Sequence, residues 1–109
     1  MHLTFLVAGS AAEPYRVEFL RDGDRLTALC TCQAGQKRQA CKHRLSLMAG
    51  YATGLAVENA DGVSALADLL PGTELHAAYQ RVVEAERAAA AADKAVSLAK
   101  KELSRVMHG

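Results

Sequence analysis

Residues 30–43 read CTCQAGQKRQACKH, a segment that holds three cysteines and one histidine close together in the chain. Cys30 and Cys32 are separated by one residue, and Cys41 and His43 repeat that spacing. Thiolate sulfur and imidazole nitrogen are ligands that Zn²⁺ prefers, and three Cys with one His form a common closed tetrahedral set. The segment therefore predicts one structural zinc ion, whose filled shell leaves no position for a substrate or a catalytic water.

The same cysteines have a second interpretation, in which they are buried or reactive thiols and His43 is incidental. A disulfide between Cys30 and Cys32 would close a strained ring and leave Cys41 unpaired. A secreted disulfide framework normally has an even number of cysteines, whereas this chain has three. Clustered Cys and His in a reducing compartment more often hold metal, so we expect a cytoplasmic protein.

Apolar residues alternate with polar ones before this segment, which predicts strands over residues 1–32. The alternation is clearest at Leu3, Phe5 and Val7, and again from Tyr15 to Phe19. Asp22-Gly23 is a strong hairpin signal, and a third strand follows it with Cys30 near its end. The pattern predicts a three-stranded antiparallel meander with one buried face.

Helical patterns follow the segment, and together with the strands they predict an α+β fold. We expect a loop over residues 33–40, a helix from Cys41 that stops at Gly54, and a linker over residues 54–62. A short helix, Val63 to Leu70, ends at Pro71-Gly72, and Thr73 caps a long helix from Glu74 to about His108. The predicted segments are a meander with a ββα finger (1–53), a linker with a short helix (54–72) and a long Ala-rich helix (73–109).

Residues 15–52 resemble the SWIM zinc finger, whose motif is C-x-C, a variable gap and then C-x-H. The resemblance rests on three runs, namely Tyr15-Arg16-Val17, Cys30-Thr31-Cys32 and Cys41-Lys42-His43. It implies a ββα unit that holds zinc through Cys30, Cys32, Cys41 and His43. It also implies DNA-binding or protein-binding roles of the kind proposed for that family.

A basic stretch surrounds the predicted zinc ligands. Four of its cations are Lys37, Arg38, Lys42 and Arg44, and no acidic residue occurs between Asp24 and Glu58. One interpretation is a patch that contacts the phosphates of DNA or RNA. The other is electrostatic, because cations near thiolates offset their charge and lower their pKa. The net charge of +1 excludes a generally basic nucleic-acid protein.

The C-terminal helix shows a heptad repeat, which predicts association with another chain. Its apolar positions are Leu75, Ala78, Val82, Ala85, Ala89, Ala92, Val96, Ala99, Leu103 and Val106. A homodimer would bury this seam, and a different protein partner could use it instead. Alternatively, the helix folds onto its own domain. The heptad match is then partly chance, because a segment rich in alanine places apolar residues in every heptad register.

The remaining features favour a binding protein over an enzyme. No Ser–His–carboxylate grouping or Gly-rich phosphate loop is present, and no apolar run is long enough for a membrane span or a secretory signal. We therefore expect neither a small-molecule substrate nor a membrane partner. Our first hypothesis is a protein-interaction adaptor or small inhibitor. The alternative is an accessory protein that binds nucleic acid, in particular DNA, through the basic residues.

Overall fold

The computed structural model describes residues 1–52 and 54–109, and Thr53, where the first predicted segment ends, lies outside them. The described chain forms two compact units, Met1–His76 and Ala77–Gly109. The predicted α+β class is confirmed. The elements are β1 (His2–Val7), β2 (Tyr15–Asp22), β3 (Arg25–Cys30), α1 (Gln33–Gln36), α2 (Lys42–Met48), α3 (Ala60–Leu69) and α4 (Glu74–Met107).

The strands form an antiparallel meander in the order β1-β2-β3, as their period-two pattern predicts. Phe5 pairs with Val17 across β1 and β2, and Val17 pairs with Cys30 across β2 and β3. The predicted hairpin turns at Gly23, whose φ of 64° lies in the left-handed region that favours glycine. This register places the first predicted ligand, Cys30, beside Val17, near the start of β2.

The core lies on one face of the sheet. Phe5, Val17 and Phe19 are fully buried there, and the Phe5 and Phe19 rings meet edge to face with centroids 6.0 Å apart. Such an aromatic pair contributes about 1 kcal/mol beyond its buried area. Leu66 of α3 is also fully buried, and α3 packs against β1 and α2. Cys30 is buried on the same sheet face, so the core extends to the candidate metal centre.

The stretch that we predicted as a loop, residues 33–40, begins instead with the helical turn α1. Cys32 is its N-cap, and the Cys32 Sγ accepts a hydrogen bond from the Gly35 N–H at 3.3 Å. The prediction was wrong here because N-caps are recognised in sequence by side-chain oxygens, and a cysteine gives no such signal. Contact with β3 stabilises this single turn, which would not persist alone.

Helix α2 ends at Met48, earlier than the predicted stop at Gly54. Gly50 has a φ of 92°, and its N–H donates to the Leu47 carbonyl at 3.0 Å. The Tyr51 N–H donates to the Ser46 carbonyl at 3.0 Å, which completes a Schellman motif. The helix therefore stops at the first of two glycines, and Tyr51 is fixed directly after it.

Helix α3 begins at Ala60, before the predicted Val63, because Asn59 serves as its N-cap. The Asn59 side-chain oxygen accepts a hydrogen bond from the Gly62 N–H at 2.9 Å. Part of the predicted linker before it also pairs with the sheet. Ala8 N–H donates to the Gly54 carbonyl at 2.8 Å, and Ala56 N–H donates to the Leu6 carbonyl at 2.8 Å. Residues 54–62 thus belong to the first unit, and Gly54 and Ala56 join them to the end of β1.

The predicted cap at Thr73 is confirmed, since its Oγ1 accepts a hydrogen bond from the His76 N–H at 3.1 Å. The long helix α4 follows, and all of residues 74–107 are described. None of their side chains is buried, so the predicted apolar seam is accessible. Of the helices in the described parts of the chain, none has the length and apolar character to cross a membrane.

Candidate metal centre

The four predicted ligands converge at the ends of three elements. Cys30 ends β3, Cys32 caps α1, Cys41 caps α2, and His43 lies in the first turn of α2. Their four potential ligand atoms all lie within 4.8 Å of one another. The three cysteines are buried and free, and His43 is half-buried. The structure therefore brings together three thiols and one imidazole in positions to bind a metal ion.

The separation between Cys30 and His43 suits the size of a zinc site. The Sγ of Cys30 and the Nδ1 of His43 are 3.8 Å apart. Tetrahedral coordination with ordinary Zn–S and Zn–N distances puts a sulfur and a nitrogen ligand about 3.6 Å apart. The fit is therefore within a few tenths of an ångström for this pair. Nδ1 is the ring atom of His43 that faces the cysteines.

The Arg44 guanidinium supports the cluster from outside. Its Nε donates to the Cys41 Sγ at 3.2 Å, and its Nη1 donates to the Ala28 carbonyl oxygen at 3.0 Å. Its Nη2 donates to the Gln39 carbonyl oxygen. One side chain thus joins β3, the segment before α2 and a candidate ligand. These bonds engage Arg44 within the chain, whereas Lys37, Arg38 and Lys42 are exposed.

The protonation of the candidate ligands follows from their surroundings. Burial raises the pKa of the Cys30 thiol to about 12. Burial also acts to raise the pKa of Cys41, but hydrogen bonds from the Arg44 N–H and guanidinium outweigh it and hold that pKa below its usual value. Burial, together with the charge of Lys42, lowers the pKa of His43. This shift favours the neutral imidazole of His43, which is the form that binds metal.

Gly35 is a structural requirement that our reading of the sequence missed. An ideal Cβ at this position would overlap the Cys30 carbonyl oxygen and lie 2.8 Å from its carbonyl carbon. Only glycine lets α1 approach β3 this closely. The close approach brings Cys32 and Cys30 into one cluster, and the sequence shows Gly35 only as an ordinary loop residue.

The other predicted site residues lie on exposed surfaces. Lys37, Arg38 and Lys42 are exposed beside the cluster. On α4, Leu75 is half-buried, whereas the other four named positions are between 44% and 62% exposed. Those four are Val82, Val96, Leu103 and Val106. Nothing in the described residues tests a nucleic-acid or partner contact at these positions. The binding roles assigned to them therefore stay predictions.

Comparisons with protein-family models, curated proteins and solved structures give no match. The resemblance to the SWIM zinc finger therefore rests on the motif residues alone, and no family match confirms it. The structure is compatible with the zinc site that this resemblance implies.

Proposed function

We propose that the chain is a non-catalytic zinc-binding module in which one Zn²⁺ joins the end of the hairpin to α1 and α2. The observation that supports this most strongly is the convergence of Cys30, Cys32, Cys41 and His43 within 4.8 Å. Four such ligands close a tetrahedral shell, so the ion would stabilise the fold instead of activating a substrate.

Metal analysis of the purified chain tests this proposal. We expect one zinc per chain and loss of that zinc in Cys41→Ser, with a large drop in thermal stability. His43→Ala should also lose tight binding, whereas His2→Ala should keep it, because His2 is an exposed residue outside the cluster. Retention of stoichiometric zinc in Cys41→Ser would show that the ligand set is wrong.

Replacement of zinc by Co²⁺ tests the coordination itself. A tetrahedral Co²⁺ site with three thiolates gives intense visible bands and a sulfur-to-metal charge-transfer band. We expect this spectrum in the unmodified chain and a weaker charge-transfer band in Cys32→Ser. An octahedral spectrum would contradict a closed site of three thiolates and one imidazole.

We further propose that the module acts as a protein-interaction adaptor or small inhibitor and that α4 provides the association surface. The support is its accessible row of apolar residues at heptad spacing, with Val96 53% and Leu103 59% exposed. A helix with such a face gains most of its stability by packing. Sedimentation of the intact chain tests this second element.

A further inference from the structure

A cleft of about 640 Å³ opens beside the metal centre within the first unit. The end of β1, α1 and the start of α2 contribute to its walls, and Cys32, Cys41 and His43 line part of it. A volume of this size is typical of sites that hold a small molecule or one unit of a polymer. The structural role of the zinc does not account for this space.

Two tyrosines that are far apart in sequence line the cleft. The Tyr15 ring lies against the His43 imidazole with centroids 5.0 Å apart, and it is half-buried. Tyr51 is 62% exposed, and the hydrogen bond from its N–H to Ser46 anchors its backbone. The cleft therefore offers one supported aromatic ring and one accessible aromatic ring.

The charge around the cleft is positive. Lys42 lines it, and none of the lining residues in the described parts of the chain is Asp or Glu. Lys37 and Arg38 are exposed in the short segment between Ala34 and Ala40, which both line the cleft. Three thiolates on Zn²⁺ would leave the cluster with about one negative charge, which the Arg44 guanidinium offsets. The three remaining cations, Lys37, Arg38 and Lys42, are exposed and therefore accessible to an anionic ligand.

We propose that this cleft binds single-stranded nucleic acid, with Tyr51 stacking on an unpaired base and Lys42, Lys37 and Arg38 contacting phosphates. Aromatic faces beside a positively charged groove are the combination that binds single strands without sequence preference. A base must leave its duplex to reach a cleft, so single strands should bind more tightly than duplexes of equal length. An acidic peptide would use the three cations but would gain little from the accessible ring of Tyr51.

Fluorescence anisotropy with the zinc-loaded full chain tests the proposal. The probes are a labelled oligothymidylate of about 16 nucleotides, the matching RNA, a duplex of equal length and a poly-glutamate peptide. With three phosphate contacts, the affinity for the single strand should fall roughly twentyfold between about 50 mM and about 200 mM salt. Lys42→Ala should reduce that fall to roughly sevenfold, whereas Lys101→Ala, a matched charge change on α4, should leave it unchanged.

Variants at Tyr51 separate stacking from charge. Tyr51→Ala should weaken single-strand binding about tenfold, and Tyr51→Phe, which keeps the ring, should bind like the unmodified chain. Tyr51 is largely exposed, so both variants should fold and keep their zinc. Equal affinities of Tyr51→Ala and the unmodified chain would overturn the proposal. It would also be overturned by duplex or peptide binding that matches single-strand binding, or by no single-strand binding at about 50 mM salt. Zinc content and sedimentation of the same samples report on the module and on α4 independently.

Discussion

The guanidinium of Arg44 donates from Nε to the Sγ of Cys41 across 3.2 Å, three residues back in the chain. The same side chain reaches the Ala28 carbonyl oxygen on β3, so a candidate metal ligand and the sheet share one hydrogen-bonding group. Arginine can do this because its planar fork presents several donors in fixed directions. The support that Arg44 gives to the cluster therefore depends on the planar shape of its guanidinium as well as on its charge.

Replacement of Arg44 tests this arrangement. Arg44→Lys keeps the positive charge but cannot reach Cys41, Ala28 and Gln39 together, so we expect zinc affinity to fall roughly 10- to 100-fold. Competition with a chromophoric chelator measures this affinity. Arg87→Lys on α4 makes the same exchange outside the first unit and should not change it. If Arg44→Lys binds zinc as tightly as the unmodified chain does, a positive charge at this position is sufficient to support the metal centre, and the three hydrogen bonds are not needed.

Gly35 should tolerate no side chain. In Gly35→Ala the new Cβ would overlap the Cys30 carbonyl, which must move α1 away from β3. We expect a loss of about 3 kcal/mol in the free energy of unfolding and weaker zinc binding. Chemical denaturation with excess zinc measures the stability.

Gly23→Ala is the matched control for Gly35→Ala. An added Cβ at Gly23 meets nothing within 4 Å, so its cost arises only from the positive φ. That cost is about 1 kcal/mol, and zinc affinity should be unchanged. Similar losses in the two variants would mean that the contact between α1 and β3 contributes little.

Arg38 and Lys37 form a second matched pair. Arg38 has a φ of 59°, and its N–H donates to the Gly35 carbonyl at 3.1 Å in a turn that glycine normally occupies. Arg38→Gly should therefore stabilise the zinc-loaded chain by about 0.5 kcal/mol, after the larger entropy of the unfolded chain is included. Lys37 has a φ of −86°, so Lys37→Gly should destabilise it by about as much.

Arg38→Gly and Lys37→Gly each remove one positive charge beside the cleft. Each variant should therefore bind single-stranded nucleic acid severalfold more weakly. On the same samples, denaturation measures the free energy of unfolding and anisotropy measures the affinity for single-stranded nucleic acid. Opposite changes in stability with similar losses of affinity would separate a binding role from a folding role. Unchanged affinity in both variants would exclude these two residues from the binding surface.

The association role that we propose for α4 would depend on its apolar positions. Val96→Glu with Leu103→Glu places charges at two exposed seam positions, and we expect sedimentation to show dissociation to a monomer. Ser97→Glu with Ser104→Glu adds the same charge one residue away, off the seam, and should keep the assembly. A monomeric unmodified chain would exclude self-association and leave a different protein as the partner of α4.

The sequence predicted the sheet and the clustering of the four candidate ligands, because both depend on local patterns. The alternation around Phe5, Val17 and Phe19 specifies one buried face, and the paired spacings of Cys30, Cys32, Cys41 and His43 need little else to indicate a site. Their convergence also needs the register of β2 and β3, which the hairpin at Gly23 provides.

The features that sequence reasoning missed depend on contacts between distant segments. The N-cap of α1 is a thiol, the donors of Arg44 find carbonyls on β3 and before α2, and Gly35 faces a carbonyl of another element. Tyr15 and Tyr51 share a cleft only after β2 and the end of α2 are packed in one unit. None of these relationships has a periodicity or a motif in the chain.

Both outer strands of the meander are covered along part of their length. Gly54 and Ala56 pair with the end of β1, while Arg44 and α1 lie against β3. An uncovered strand edge is a template for aggregation. Since Cys32, Cys41 and His43 link α1 and α2 to β3 through the candidate metal centre, we expect removal of the ion to loosen that cover. Chelation should then produce intermolecular β-structure and precipitation before complete unfolding, so the metal would protect the solubility of the protein as well as its shape.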